Sequence, residues 1–275
     1  MKVRLGKISF ANCRPVYYGL NNGLLPPWLD LTPAPPTVLN GMLSNSELDI
    51  SPVSSVAYAK HAEDWIIIPS LSIASRGDVL SVILVSTLPL KSLDKKKVIT
   101  TTDSETSVEL LKLCLEREGS RPVFVPGIVR DTADLGQEAA AALLIGDPAL
   151  RRRRNDVHGQ CIMDLGRYWH DWTSLPFVYA VWAVRRAFAE RNRQVVKEVA
   201  ALLKQSLSLG IAHIETIARS ASLGLGLEEP FLKTYFRHLH YQLNQEELGG
   251  LSCFFDCLHD RGILREKVCP QFFSC

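Results

Sequence analysis

No stretch of the 275 residues reaches the roughly 20 consecutive apolar positions that a membrane-spanning helix needs. With 31 basic and 29 acidic residues, the chain also lacks the one-sided charge that would draw it as a whole to nucleic acid or an anionic membrane. It has no G-x-S-x-G elbow, no phosphate-binding loop and no G-x-G-x-x-G fingerprint. Gly224 and Gly226 come nearest, but Glu229 stands where a third glycine is needed and no strand precedes them. Triad hydrolysis, phosphoryl transfer and hydride transfer therefore lose their usual signatures, and no cofactor is expected. The seven cysteines are odd in number and irregular in spacing, and a chain of this size needs no staples, so they read as reduced thiols. Cys253, Cys257, His259 and Cys269 lie close together but match no paired zinc spacing and share an apolar helical stretch with Phe254 and Phe255, so no metal is expected. Internal repeats and low-complexity linkers are absent. Met1 is followed directly by a short strand-like segment, Val3 to Ile8, with no leader-like apolar stretch, which predicts a cytoplasmic protein.

What the chain does have is apolar material, 47% of its residues, enough for sizeable cores. Val79 to Val85 is a β-branched apolar run interrupted only by Ser81, and Phe177 to Val184 is a second run of the same kind. Two such strands bracketing a segment of domain size predict a chain that leaves one lobe, builds another and returns. On this reading residues 1–85 and 184–275 form the first lobe, residues 86–183 the second, and both buried runs lie together where the chain crosses, with Ser81 at the crossing. A hydroxyl in a dry strand must be bonded to nearby backbone or face a polar cavity. Strands and helices alternate along the first half, the pattern of an α/β fold with a largely parallel sheet. The last third has the helical spacing of amphipathic helices at 191–210, 230–239 and 245–261, the last with Asn244 and Glu247 placed as a capping box.

Hydroxyls and amides recur at the strand ends, where ligands commonly sit. Ser9 and Asn12 occupy a polar turn after the first strand, and Ser54 and Ser55 a turn before a short helix. Ser104, Thr106 and Ser107 begin a helix whose unpaired N–H groups and positive dipole end suit a carboxylate; the blander reading is that they only cap it. Gly146 and Asp147 form another turn, and Thr173 precedes the second buried run. Four consecutive arginines, Arg151 to Arg154, read as a solvated helix face rather than a nucleic-acid contact.

Several segments together carry a family likeness: Ser9 to Pro15 (SFANCRP), Ser72 to Val82 (SIASRGDVLSV), Ser104 to Ser107 (SETS), Leu144 to Leu150 (LIGDPAL), and Asp164 to Gly166 with Trp169 and Thr173 to Phe177. In this order, across about residues 3–185, the chain resembles the MqnA family, the chorismate dehydratases of the futalosine route to menaquinone. The resemblance implies a two-lobed fold like type II periplasmic binding proteins, with a cleft between lobes and two crossing strands. It implies loss of water from chorismate, a dicarboxylate, to give 3-[(1-carboxyvinyl)oxy]benzoate. Asn12 and Ser81 are the expected catalytic residues, with Ser9, Ser54, Ser55, Ser104, Thr106, Ser107, Gly146, Asp147 and Thr173 binding substrate. The related dihydroxynaphthoate synthases share the fold but differ at the opening motif, which here follows the dehydratases. A solute-binding protein for a small carboxylate is the alternative from another class. The oligomeric state is not legible in the sequence.

Overall fold

The computed structural model describes residues 2–127, 135, 139–154 and 159–274. The chain begins with β1 (Val3–Ile8), a short helical turn at Ala11–Cys13, β2 (Leu29–Ala34), α1 (Pro36–Ser44), β3 (Ile50–Ser54), α2 (Ser55–Lys60) and the long β4 (Trp65–Ser75). It then crosses and builds β5 (Val82–Ser86), β6 (Lys97–Thr100), α3 (Glu105–Arg117), β7 (Val123–Pro126), β8 (Ala141–Ile145), α4 (Gly146–Arg154), β9 (Cys161–Asp164) and α5 (Leu165–Thr173). The return strand is β10 (Phe177–Arg185). After it come α6 (Arg186–Arg191), α7 (Arg193–Ala212), α8 (Ile214–Leu225), α9 (Glu229–His238), β11 (Leu239–His240) and α10 (Gln245–Asp260).

Two sheets result. The first has the order β11-β4-β10-β3-β1-β2 and the second β7-β6-β8-β5-β9. In the first, β1 runs parallel to β2 and β3, whereas β10 is antiparallel to β3 and β4. The antiparallel pairing follows from the excursion: a chain that leaves at the end of β4 and comes back through β10 re-enters the sheet at that same end, with Phe177 beside Ser75. The second sheet is mixed for the same reason, since β5 lies antiparallel to β8 and β9 while β6 is parallel to β7 and β8.

The expectation that Val79–Val85 and Phe177–Val184 lie side by side is corrected. Val82–Ser86 belongs to the second sheet and Phe177–Arg185 to the first. What crosses is the six-residue link before β5, with Gly77 (φ +89°) and Leu80 (φ +62°) in left-handed backbone, and the short return after Ser174 (φ +60°). Three further readings change. Ser54, expected in a turn, ends strand β3, which is fully buried because β1 and β10 cover both edges. Helix α8 was not anticipated. The arginine run is not a uniformly solvated face: Arg152 is buried, Arg151 Nε donates to Leu225 O (3.1 Å), and Arg153 lies 3.4 Å from Asp164 and 3.6 Å from Asp78. The Arg154 side chain is outside the described residues.

Asp49 ties the first sheet together. Its buried carboxylate accepts from Arg4 N (3.0 Å), Arg4 Nε (3.1 Å), Arg4 NH2 (2.7 Å) and Arg185 NH2 (2.7 Å), joining β1 to the end of β10. Burial pushes the carboxyl up, but the bonds from Arg4 and Arg185 outweigh it and hold the group below its ordinary value of 3.8. A depressed folded-state pKa stabilises fully above the unfolded value and is lost as pH falls through the folded one. Denaturant unfolding as a function of pH should therefore show stability falling below about pH 4, with Asp49→Asn less stable at neutral pH and its deficit narrowing in acid. Equal pH slopes for the two proteins would contradict this role.

Candidate functional site

Between the sheets lies a cavity with about 540 Å³ of empty space including its mouth. Its polar wall comes from Asn12, Ser54, Ser81, Ser104, Ser107 and Tyr179; Ile8, Phe10, Ile73, Val79 and Ile145 supply apolar surface. Among the described residues the lining has no Lys, Arg, His, Asp or Glu. Helix starts converge on it instead: Pro36 opens α1, Ser54 caps α2, Ser104 caps α3 and Gly146 opens α4. The start of a helix carries the positive end of its dipole, so these four starts favour an anion, although Pro36 has no N–H and Gly146 N, Val56 N, Ala57 N and Ser107 N already have acceptors.

Each polar group is set by local structure. The Ser104 hydroxyl accepts from Ser107 N (3.2 Å) and lies 3.0 Å from the Ser107 hydroxyl. Capping and lining the cavity are thus one arrangement rather than alternatives. Ser54 caps α2 by accepting from Ala57 N (3.4 Å). Ser81 is 3% exposed; its hydroxyl accepts from Tyr235 OH (3.1 Å) and has a long contact, 3.4 Å, with Val79 O, while Ser81 O accepts from Gly146 N (2.7 Å). Burial pushes the phenols of Tyr179 and Tyr235 upward, so both stay protonated donors. Asn12 differs: its Oδ1 is buried and has no hydrogen-bond partner. An orphaned buried acceptor costs ~1–3 kcal/mol, and here it is on a residue lining the cavity.

Behind the wall, Asp164 holds the crossing link. It accepts from Val79 N (3.0 Å) and Leu80 N (2.8 Å) across 85 and 84 residues, and from Gly166 N (3.0 Å) and Arg167 N (3.1 Å) at the start of α5. Burial raises its carboxyl above the ordinary value, against the lowering by these amides and Arg153. Gly166 leaves no room for a side chain there: a Cβ would meet Gly77 O at 2.6 Å and the Ser75 and Tyr179 hydroxyls at 2.7 Å.

Of the residues singled out from the sequence, Asn12, Ser54, Ser81, Ser104, Ser107 and Gly146 meet at this cavity. The others do not line it. Ser9 is exposed in a neighbouring groove. Ser55 is fully buried and donates to Val178 O (2.6 Å), because the first turn of α2 packs against β10. Thr106 accepts from Val56 N (2.9 Å), tying α3 to α2 across the cleft. Asp147 accepts from Ala11 N (3.1 Å), fixing the turn that carries Asn12. Thr173 donates to Trp169 O (2.9 Å) and accepts from Leu175 N (3.2 Å), shaping the return crossing. Sequence reasoning missed Phe10, Tyr179 and Tyr235. Tyr179 had a signal, a polar tip in the second buried run; Tyr235 had none, since its contact with Ser81 spans 154 residues. Among the described residues no three or more His, Cys, Asp or Glu side chains converge as a metal site, and no helix is long and apolar enough to cross a membrane.

Two sheets joined by two crossings, with a cavity walled by strand ends and helix starts, define a two-lobed protein of the periplasmic-binding-protein type. The periplasmic aliphatic sulphonate-binding protein of Escherichia coli superposes with a TM-score of 0.66 at 16% identity, covering 100% of this chain and 94% of the other. An Archaeoglobus fulgidus protein of known structure gives a TM-score of 0.77 at 22% identity, covering 95% and 98%. The chain belongs to the menaquinone biosynthesis family, whose model matches residues 3–260. A curated chorismate dehydratase of Thermus thermophilus is 30% identical over 276 residues, covering 92% of this chain and 94% of the relative.

Proposed function

We propose that the protein is a hydro-lyase acting on chorismate in the futalosine route to menaquinone, releasing water and 3-[(1-carboxyvinyl)oxy]benzoate. The observation that carries the reading is the cavity itself, a space between the sheets lined by neutral donors where four helices begin, in a chain 30% identical to a chorismate dehydratase. A dicarboxylate fits such donors without a cofactor, and the two sheets act as lobes that separate at the crossings to admit it.

In the elimination, the ring carbon that bears the enol ether loses its proton, that C–H electron pair forms the new ring double bond, and the C–O bond of the neighbouring carbon breaks, its hydroxide taking up a proton and leaving as water. Aromatisation drives the step. The departing proton is vinylogous to the ring carboxylate, so negative charge spreads onto that group as the bond breaks. Ser104, Ser107 and the first N–H groups of α3 are placed to stabilise it, where preorganised donors have most effect. With no histidine or carboxylate in the lining among the described residues, the enolpyruvyl carboxylate of the substrate takes the proton, held near it by the walls. Ser81, whose oxygen is held by Tyr235 OH, directs its own hydroxyl toward the leaving group, and the free Asn12 Oδ1 accepts from the ring hydroxyl before departure.

Purified protein incubated with chorismate should yield a benzenoid ultraviolet spectrum and a product lighter by one water. Binding of chorismate with no change in spectrum or mass would replace this reading with solute capture.

A further inference from the structure

Ile8 and Phe10 separate the cavity from a second concavity, a groove of about 1010 Å³ including its open mouth. Lys7, Ser9, Arg14, Asn21, Asn22 and Ser220 give it a polar lining of opposite character to the neutral cavity: among the described residues, two cations and no Asp or Glu. The contrast along the same stretch of chain is informative. Lys2 pairs with Asp30 and Arg4 with Asp49, each the usual state of a basic side chain on a strand. Lys7 has no acidic partner among the described residues; its Nζ donates to Asn21 Oδ1 (2.9 Å) and sits 5.7 Å from the centre of the Tyr17 ring. The Arg14 side chain makes no hydrogen bond or ion pair with the described residues. Burial, and then the neighbouring Arg14 charge, lower the Lys7 pKa. Two half-buried like charges without a counter-ion disfavour one another, and an oxyanion between them would relieve both terms at once.

We infer that this groove is a second anion site, which binds a small oxyanion through Lys7 and Arg14 and receives the carboxylate-bearing substrate before it passes Phe10 into the cavity. The binding half stands on the groove alone; the receiving half rests on the dehydratase reading. Phe10 is suited to be the partition. Its ring would stand 3.1 Å from a Cβ on Gly146, so it bridges the opening turn of the first lobe and the start of α4 in the second. Any separation of the lobes at this point carries Phe10 away from Gly146 and joins the two spaces.

The two halves are tested separately. Amide chemical shifts followed during titration with inorganic phosphate, and in parallel with benzoate, should change saturably at Ser9 and Asn22. The Lys7→Gln/Arg14→Gln double variant should weaken binding at least ~10-fold. The tighter of the two probes reports whether phosphate or carboxylate is preferred. No saturable change with either probe, or changes that persist in the double variant, would overturn the site. For the receiving role, the double variant should lower kcat/KM for chorismate ~5–10-fold at low ionic strength, leave kcat within about twofold, and flatten the dependence of kcat/KM on salt. A fall in kcat with an unchanged salt dependence would overturn it. If chorismate is not turned over at all, the dehydratase reading fails while the phosphate and benzoate titrations still decide the site. Thermal melts of the double variant check that its fold is intact.

Discussion

Asn12→Ala is expected to lower turnover of chorismate by ~10²–10³ while leaving the melting temperature unchanged or slightly higher. The asymmetry follows from the orphaned Oδ1. A buried acceptor without a partner destabilises the empty fold, so its removal costs the fold nothing and costs only the complex. Ser81→Ala should cut turnover by a similar ~10²–10³, but it is not thermally silent. The Ser81 hydroxyl is the acceptor for Tyr235 OH at 3.1 Å, so alanine strands a buried phenol at a cost of ~1–3 kcal/mol. Adding Tyr235→Phe removes the stranded donor as well. The double variant should recover most of the lost stability and none of the lost turnover, because shape-matched apolar replacement of both partners is nearly neutral. Steady-state kinetics beside thermal melts separate these effects. Near wild-type turnover in both Asn12→Ala and Ser81→Ala would refute the site, whatever the melts show.

Asp164→Asn is expected to unsettle the same serine from behind. The carboxylate uses one oxygen for Val79 N and the start of α5 and the other for Leu80 N, and an amide offers only one acceptor. Its NH₂ would face either Leu80 N or the N–H groups of Val79, Gly166 and Arg167. Leu80 holds a left-handed backbone at φ +62°, a conformation that costs a branched residue ~1–3 kcal/mol and persists only while its surroundings enforce it. Losing the clamp should lower stability by ~2–4 kcal/mol, visible as a drop of several degrees in Tm. Because Ser81 is the next residue, kcat should fall ~10–10²-fold with KM little changed, the pattern of a misplaced group rather than a lost binding contact. A variant with lowered Tm but wild-type kcat at a temperature where it is folded would show that Asp164 only stabilises the link.

These expectations separate what is local in the chain from what is not. Caps were legible because they are settled within three residues: Ser54 before α2, Ser104 before α3, and Asn244 with Glu247 at α10 all hold the positions their spacing implies. The apolar run around Ser81 was legible as buried. Its membership in the second sheet was not, because two all-apolar strands carry no alternation that says which neighbours they pair with. The arginine run misled for a related reason. A charge run is solvated only if nothing folds back over it, and Arg151 and Arg153 are met by Leu225 and by Asp78 and Asp164, residues far away in the chain.

By itself, then, the sequence determined the alternation of strands and helices and the stock of hydroxyls and amides at strand ends, since these depend on periodicity and short-range hydrogen bonding. Tertiary structure alone decided which of those groups line the cavity. Ser55 and Thr106 carry hydroxyls like Ser54 and Ser104 and sit within two positions of them, and Asp147 follows Gly146, yet their side chains, with that of Thr173, hold the frame. A side chain bonds whichever partner the packing presents first, and contacts made across 50, 123 or 136 residues are fixed by how the lobes meet rather than by any local pattern.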